Sequence, residues 1–385
     1  MFKRYFIALL VVIASVVFAT AGFAWWVDPY GLYGEYTKED SFKKPEVNNQ
    51  IRLHKRAQLE RNQYDALILG NSRAFRTYDP EHAFFEGYKA YNAAVSNAHI
   101  NEIYYSLRLA NKNTNIKKVV LVVDYALQED IKKSEQKKST LIFERGARSF
   151  TESAKYYKDT LLSIQALKDS LKTIFYLGDE NRVTVGGLYY DQEGDENDFK
   201  EVELGYLNKY MRVNIKEQSA YGHRLYKFYF KKILSYLHEH KIDTTIVISP
   251  LHARFMEVIY SAGLWQDFSN WKEVLVAVNE EVAEEYEGDS YVLYDAAIYN
   301  EKNIEFIRPY EATKWYYESS HAMPKYGDAL LNEMIYDKGG RLAVRLDIGD
   351  IDMHFNFQRA ERLHYIERRE EQVLHIKRAA VMGGQ

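Results

Sequence analysis

The sequence predicts an α/β domain with a mainly parallel sheet, preceded by one N-terminal transmembrane helix, and three observations point there. Short strand-like runs at residues 66–69, 89–93, 119–123, 245–248 and 291–294 alternate with helical patterns such as 100–110 and 271–286. That alternation is what parallel strands joined by right-handed helical crossovers leave in a sequence. The front half of Asp65-Ala66-Leu67-Ile68-Leu69-Gly70-Asn71-Ser72-Arg73-Ala74 is continuously apolar, as a strand covered on both faces requires. The third observation is an uncharged apolar run from Tyr5 to Trp26, directly after Lys3 and Arg4.

A helix of about 20 apolar residues crosses the hydrocarbon core, so residues 1–27 suffice as an anchor. Lys3 and Arg4 place the N-terminus in the cytoplasm, and Trp25-Trp26 suits the outer interface. The alternative is a signal peptide cleaved near Ala19-Thr20-Ala21. Either way the remainder is exported. Residues 28–49 read as a linker or partly ordered collar, 50–340 as the α/β domain, and 341–385 as a tail with an amphipathic helix over about 355–380 whose apolar face is available to dock on the domain or on a partner. A helix is expected at 157–174, and a second one carries Tyr226, Phe230, Ile233, Leu234 and Leu237 on one face. The interval of about 128–219 is too long for one crossover, and it reads as an inserted segment facing the substrate or, around 191–198, as a disordered surface excursion.

Composition narrows the chemistry. The chain has no cysteine, so disulfides, thiolate metal sites and a cysteine nucleophile are ruled out. Its 51 Lys and Arg against 55 Asp and Glu leave a net charge of −4, which gives no electrostatic footprint for nucleic acid. The 33 tyrosines can line carbohydrate clefts or pack at half-buried surfaces.

Ser72 follows a strand's carboxyl end, where open α/β sheets bind ligands. Its hydroxyl is placed for nucleophilic attack if a base reaches it; otherwise Asn71 or Ser72 simply caps the next helix. The base is found far downstream, in Glu318-Ser319-Ser320-His321. Three residues apart, Glu318 and His321 can share a face, so that the carboxylate holds one ring nitrogen and frees the other. Serine, histidine and acid in those roles form a triad that is independent of chain order. His252 is expected on the same rim, as a substrate contact, as a partner of His321 on a metal, or as ordinary surface, although no metal-site spacing supports the second. Arg73 could balance an anionic substrate or pair with Asp124, and Asp295 reads as a turn cap.

These blocks, with Tyr78-Asp79-Pro80, Tyr91-Asn92-Ala93-Ala94-Val95-Ser96-Asn97, Val122-Val123-Asp124-Tyr125 and Ile248-Ser249-Pro250-Leu251-His252, resemble the SGNH (GDSL-like) hydrolase superfamily. The nearer likeness is to its membrane-anchored branch of alginate O-acetyltransferase-like and teichoic-acid D-alanylation proteins. The resemblance implies a three-layer flavodoxin-like fold without metal or other cofactor. It further implies a tethered serine esterase or acyltransferase acting on O-acyl groups of an envelope or extracellular polysaccharide, with the main domain periplasmic or extracellular. Ser72, His321 and Glu318 would be catalytic.

Two departures bear on the oxyanion. The second block normally offers a glycine N–H where this chain has Asn97, and the third an asparagine donor where it has Asp124. A carboxylate only accepts, so Asn71, Asn97 or Asn92 must substitute, or the chain is a weak or inactive relative. The second alternative is an accessory subunit that binds glycan or an integral-membrane acyltransferase.

Overall fold

The structure is a computed structural model that describes residues 2–34, 36, 43–125, 150–175, 182–212, 215–336 and 341–383. It divides into two compact units, one of residues 1–62 and 141–185, the other of residues 63–140 and 186–385.

The first unit begins with the helix Phe2–Val27, which is long and apolar enough to cross a membrane. Its large side chains from Phe2 to Phe18, and Trp25 and Trp26, are exposed. Described residues beyond the helix are hydrogen-bonded back to its end. The Asp28 carboxylate accepts the amides of Leu32, Tyr33 and Gly34 at 2.7, 2.9 and 3.1 Å. Lys44 Nζ donates to the carbonyls of Val27 and Asp28, and the Tyr30 hydroxyl donates to buried Asp169 at 2.7 Å. Helix Ile51–Arg61 belongs to this unit, as do Phe150–Tyr157 and Ile164–Phe175, so the single helix expected at 157–174 is interrupted by a π-turn at Lys158–Leu162.

The second unit holds a six-stranded sheet. Five parallel strands, β1 (Ala66–Leu69), β2 (Ala90–Asn92), β3 (Lys118–Val123), β4 (Asp243–Ile248) and β5 (Val292–Asp295), run in the order β2-β1-β3-β4-β5. A hairpin of β6 (Tyr316–Glu318) and β7 (His321–Ala322) stands apart, and β8 (Val344–Arg345) closes the sheet antiparallel to β5. Every residue of β1, and Val119 to Val123 of β3, is buried, as the continuous apolar runs require. β3 and β4 start earlier than their apolar runs because Lys118 and Asp243 are register partners bridged at 3.1 Å.

The order reverses between β1 and β3, and the crevice beyond their carboxyl ends is where such sheets bind ligands. The units also cut the chain differently from the sequence expectation. The interval 128–219 is shared between them, and residues 341–385 group with the second unit. There the expected C-terminal helix is two, Ile351–Arg368 and Glu370–Gly383, broken at Arg369.

Candidate active site

Ser72 is delivered by a tight strand-to-helix turn. A Cβ on Gly70 would press on Ala74 and on the Val122 carbonyl, so only glycine lets β1 turn this close to β3. Asn71 then caps helix Ser72–Thr77, its Oδ1 accepting the Arg73 N–H at 2.9 Å. Ser72 is therefore the first helical residue, and its hydroxyl is left for another partner.

That partner comes from the hairpin. Nε2 of His321 lies 2.8 Å from Ser72 Oγ, across 249 positions of sequence. Its Nδ1 donates to Glu318 Oε1. Ser320 completes the loop: its N–H reaches Glu318 Oε2 at 2.6 Å, and its hydroxyl donates to Oε1 at 3.0 Å. The hairpin is fastened at three further points. Ser319 O accepts the His252 N–H at 3.1 Å, Ser320 O accepts Arg73 Nε at 2.9 Å, and Ala322 O accepts the Thr77 hydroxyl at 2.9 Å. Gly327 is part of the same fit, because a Cβ there would collide with the Thr77 carbonyl.

The electrostatics suit a neutral base beside a carboxylate. Burial, helped by the Arg76 and Arg73 charges, lowers the His321 pKa below its ordinary value against the pull of Glu318. Burial would raise Glu318, but His321 and the two Ser320 hydrogen bonds outweigh it and hold the carboxyl below its usual range. At neutral pH the imidazole is thus unprotonated and the carboxylate ionised. The pair also meets solvent, with side chains 12% and 13% exposed.

A cavity of about 550 Å³ reaches Glu318 and is lined by Asp191, Glu193, Asp198, Glu201, Tyr206 and Tyr317, among others. Its wall is helix Glu196–Arg212, the second part of the sequence interval read as an insertion. The wall is held by a buried bidentate pair, with Arg254 Nε and Nη2 each 2.8 Å from the Glu203 carboxylate. Residues 191–198 are ordered into it: Gly194 packs on the Tyr317 backbone, where no Cβ would fit, and the Thr313 N–H donates to its carbonyl at 3.2 Å. The disordered excursion considered for this stretch is corrected accordingly.

The other predicted residues sort by what already engages them. Asn92 is fully buried, with Nδ2 donating to the Ala74 and Tyr78 carbonyls at 2.9 Å each, so it has no hydrogen left for an oxyanion. Asp124 accepts from Arg73 Nη1 at 2.8 Å, which takes the ion-pair option for Arg73 and leaves Asp124 without a donor role. Asn97 adopts φ +54°, the left-handed region a glycine enters freely. His252 does follow β4 at the sheet's carboxyl end, where its N–H holds the hairpin, but its ring is not presented to solvent. It is buried, its Nε2 donating to the Glu305 carbonyl and its Nδ1 accepting the Arg254 N–H, and burial pushes its pKa down to about 3. Both ring nitrogens are occupied, which removes it as a metal partner of His321. Among the described residues no cluster of three or more His, Cys, Asp or Glu could hold a metal ion.

Sequence reasoning missed Ser320, Thr77 and the Glu203–Arg254 pair. Only Ser320 left a signal, since it lies between two residues already singled out. Comparison of the chain with protein-family models, curated proteins and solved structures gave no match.

Proposed function

We propose that the chain is a membrane-tethered serine esterase or O-acyltransferase of the SGNH type, acting on O-acyl groups of an envelope or extracellular polysaccharide. The observation that carries this reading is the hydrogen-bonded line Ser72 Oγ, His321 Nε2, His321 Nδ1, Glu318 Oε1. The strand order β2-β1-β3-β4-β5 matches the flavodoxin-like pattern and supports the fold that the resemblance implies. The polysaccharide, and the exported location of the main domain with the N-terminus cytoplasmic, rest on the resemblance and on the helix Phe2–Val27.

In this mechanism His321 Nε2 takes the Ser72 proton as Oγ attacks the acyl carbonyl, and Glu318 stabilises the imidazolium that forms. Collapse of the tetrahedral intermediate breaks the bond to the leaving sugar oxygen, which receives the proton from His321. Water or another hydroxyl then resolves the acyl-serine by the same steps. With Asn92 and Asp124 committed elsewhere, we assign the oxyanion to the Ser72 N–H and the Asn71 Nδ2, whose amide is oriented by the Arg73 N–H on its oxygen.

A fluorophosphonate probe tests the reading directly. Labelling of the wild type that disappears in Ser72→Ala supports it; equal labelling of both, or of neither, overturns it. Asp124 favours a second reading, a weak or inactive accessory subunit that binds glycan or an integral-membrane acyltransferase. That reading gains if the chain turns over no acetyl ester while Ser72→Ala still co-purifies with a multispanning partner.

A further inference from the structure

We infer that Arg73 is a positioning residue for the base: its guanidinium clamps the Glu318–His321 loop against the sheet's carboxyl end, one residue from the nucleophile. The inference rests on the serine-hydrolase reading and adds to it a fourth side chain that the reaction depends on. Arg73 Nε donates to the Ser320 carbonyl at 2.9 Å, while Nη1 donates to Asp124 Oδ1 at 2.8 Å. Both side chains are nearly inaccessible, at 7% and 4%, and the guanidinium lies 5.2 Å from the Phe255 ring centre.

What makes this more than a buried ion pair is the identity of the second acceptor. Ser320 sits between the orienting carboxylate and the base, and its N–H and hydroxyl are already bonded to Glu318. Its carbonyl is the remaining polar group of that peptide, and Arg73 holds it. A planar fork fixes two directions at once, anchoring on Asp124 just past the end of β3 and reaching the hairpin with its other edge. Removing the fork leaves the Ser320 carbonyl unheld, so the Glu318–His321 pair can tilt relative to Ser72. Asp124, at the position where an oxyanion donor was expected, then acts as the abutment for Arg73.

The bland alternative is that the pair only neutralises two buried charges. An ion pair of that kind tolerates replacement by apolar residues of similar volume. The two readings therefore diverge in Arg73→Lys and in the double variant Arg73→Met with Asp124→Leu. In the full-length chain, p-nitrophenyl acetate turnover, fluorophosphonate labelling, melting temperature and the ¹⁵N titration of the His321 ring are compared.

A lysine keeps the charge but not the fork. The expected result for Arg73→Lys is a kcat lower by about 10- to 100-fold, as for a group displaced by roughly 1 Å, with KM within about 3-fold. Its acid limb stays where it is in the wild type. The double variant loses the same factor in kcat, because the fork is gone although no buried charge is left unpaired.

Wild-type kcat in Arg73→Lys overturns the inference, as does a loss matched by an equal loss of folded protein. If the double variant fails to fold, Arg73→Lys decides alone. Should the wild type label independently of Ser72, it is the hydrolase reading that fails. The ¹⁵N signal of His321 Nε2 still reports separately whether Arg73 holds the ring, changing in Arg73→Lys if it does and remaining unchanged if it does not.

Discussion

Among the described residues of the second unit, two histidines are ion-paired to carboxylates, and of these only His321 also reaches a hydroxyl. At Glu318–His321 the second ring nitrogen meets a hydroxyl, Ser72 Oγ at 2.8 Å, next to a cavity. At Asp295–His354 the carboxylate oxygen takes His354 Nε2 at 2.8 Å, Lys272 Nζ at 2.5 Å and Gln358 Nε2 at 3.3 Å, with Lys272 and Asp295 wholly buried. The first pair has an outlet and the second has a counter-ion. A carboxylate beside an imidazole is therefore not a site in itself; what the free nitrogen faces decides.

The largest expected effect separates the two pairs by activity. Ser72→Ala or His321→Ala should lower ester turnover by on the order of 10⁴-fold or more while leaving the melting temperature nearly unchanged. Lys272→Met should do the reverse. It takes the lysine counter-ion from the buried Asp295 carboxylate, at about 3–5 kcal/mol in denaturant unfolding, while the labelling rate of the remaining folded chains stays at the wild-type value.

Asn71→Asp sharpens the contrast at the nucleophile itself. Aspartate caps a helix as well as asparagine but has no amide hydrogens, so kcat should fall about 100-fold with stability preserved. The smallest effect is the pH profile. Because the His321 pKa is lowered, the base form persists at neutral pH, and activity should be lost only as the pH falls through a value below 6.5. An acid limb above 6.5 would contradict that environment.

Much of this contrast was legible in the sequence. The apolar run of β1 and its break at Gly70 placed Ser72, and the Glu318–His321 spacing placed an imidazole against a carboxylate. Spacing reports residues that share a turn, and composition reports strands buried on both faces. Neither reports which distant charge a buried residue will meet. Arg254 and Glu203 are 51 positions apart, and Lys272, on a helix, is 23 positions from Asp295 at the end of β5. The burial of the His252 ring was missed for the related reason that a histidine after a strand resembles an exposed loop residue until its two ring bonds are seen. The resemblance predicted a flavodoxin-like fold, and the strand order is compatible with it. β8 was not foreseen because a strand of two residues is too short to leave a pattern.

The turn after the first helix carries a mechanical consequence. Asp28 grips three successive amides, and Lys44 fastens the helix's last carbonyl. The junction therefore has no swivel. Whatever lean the apolar helix takes in a bilayer is handed rigidly to the turn that follows it.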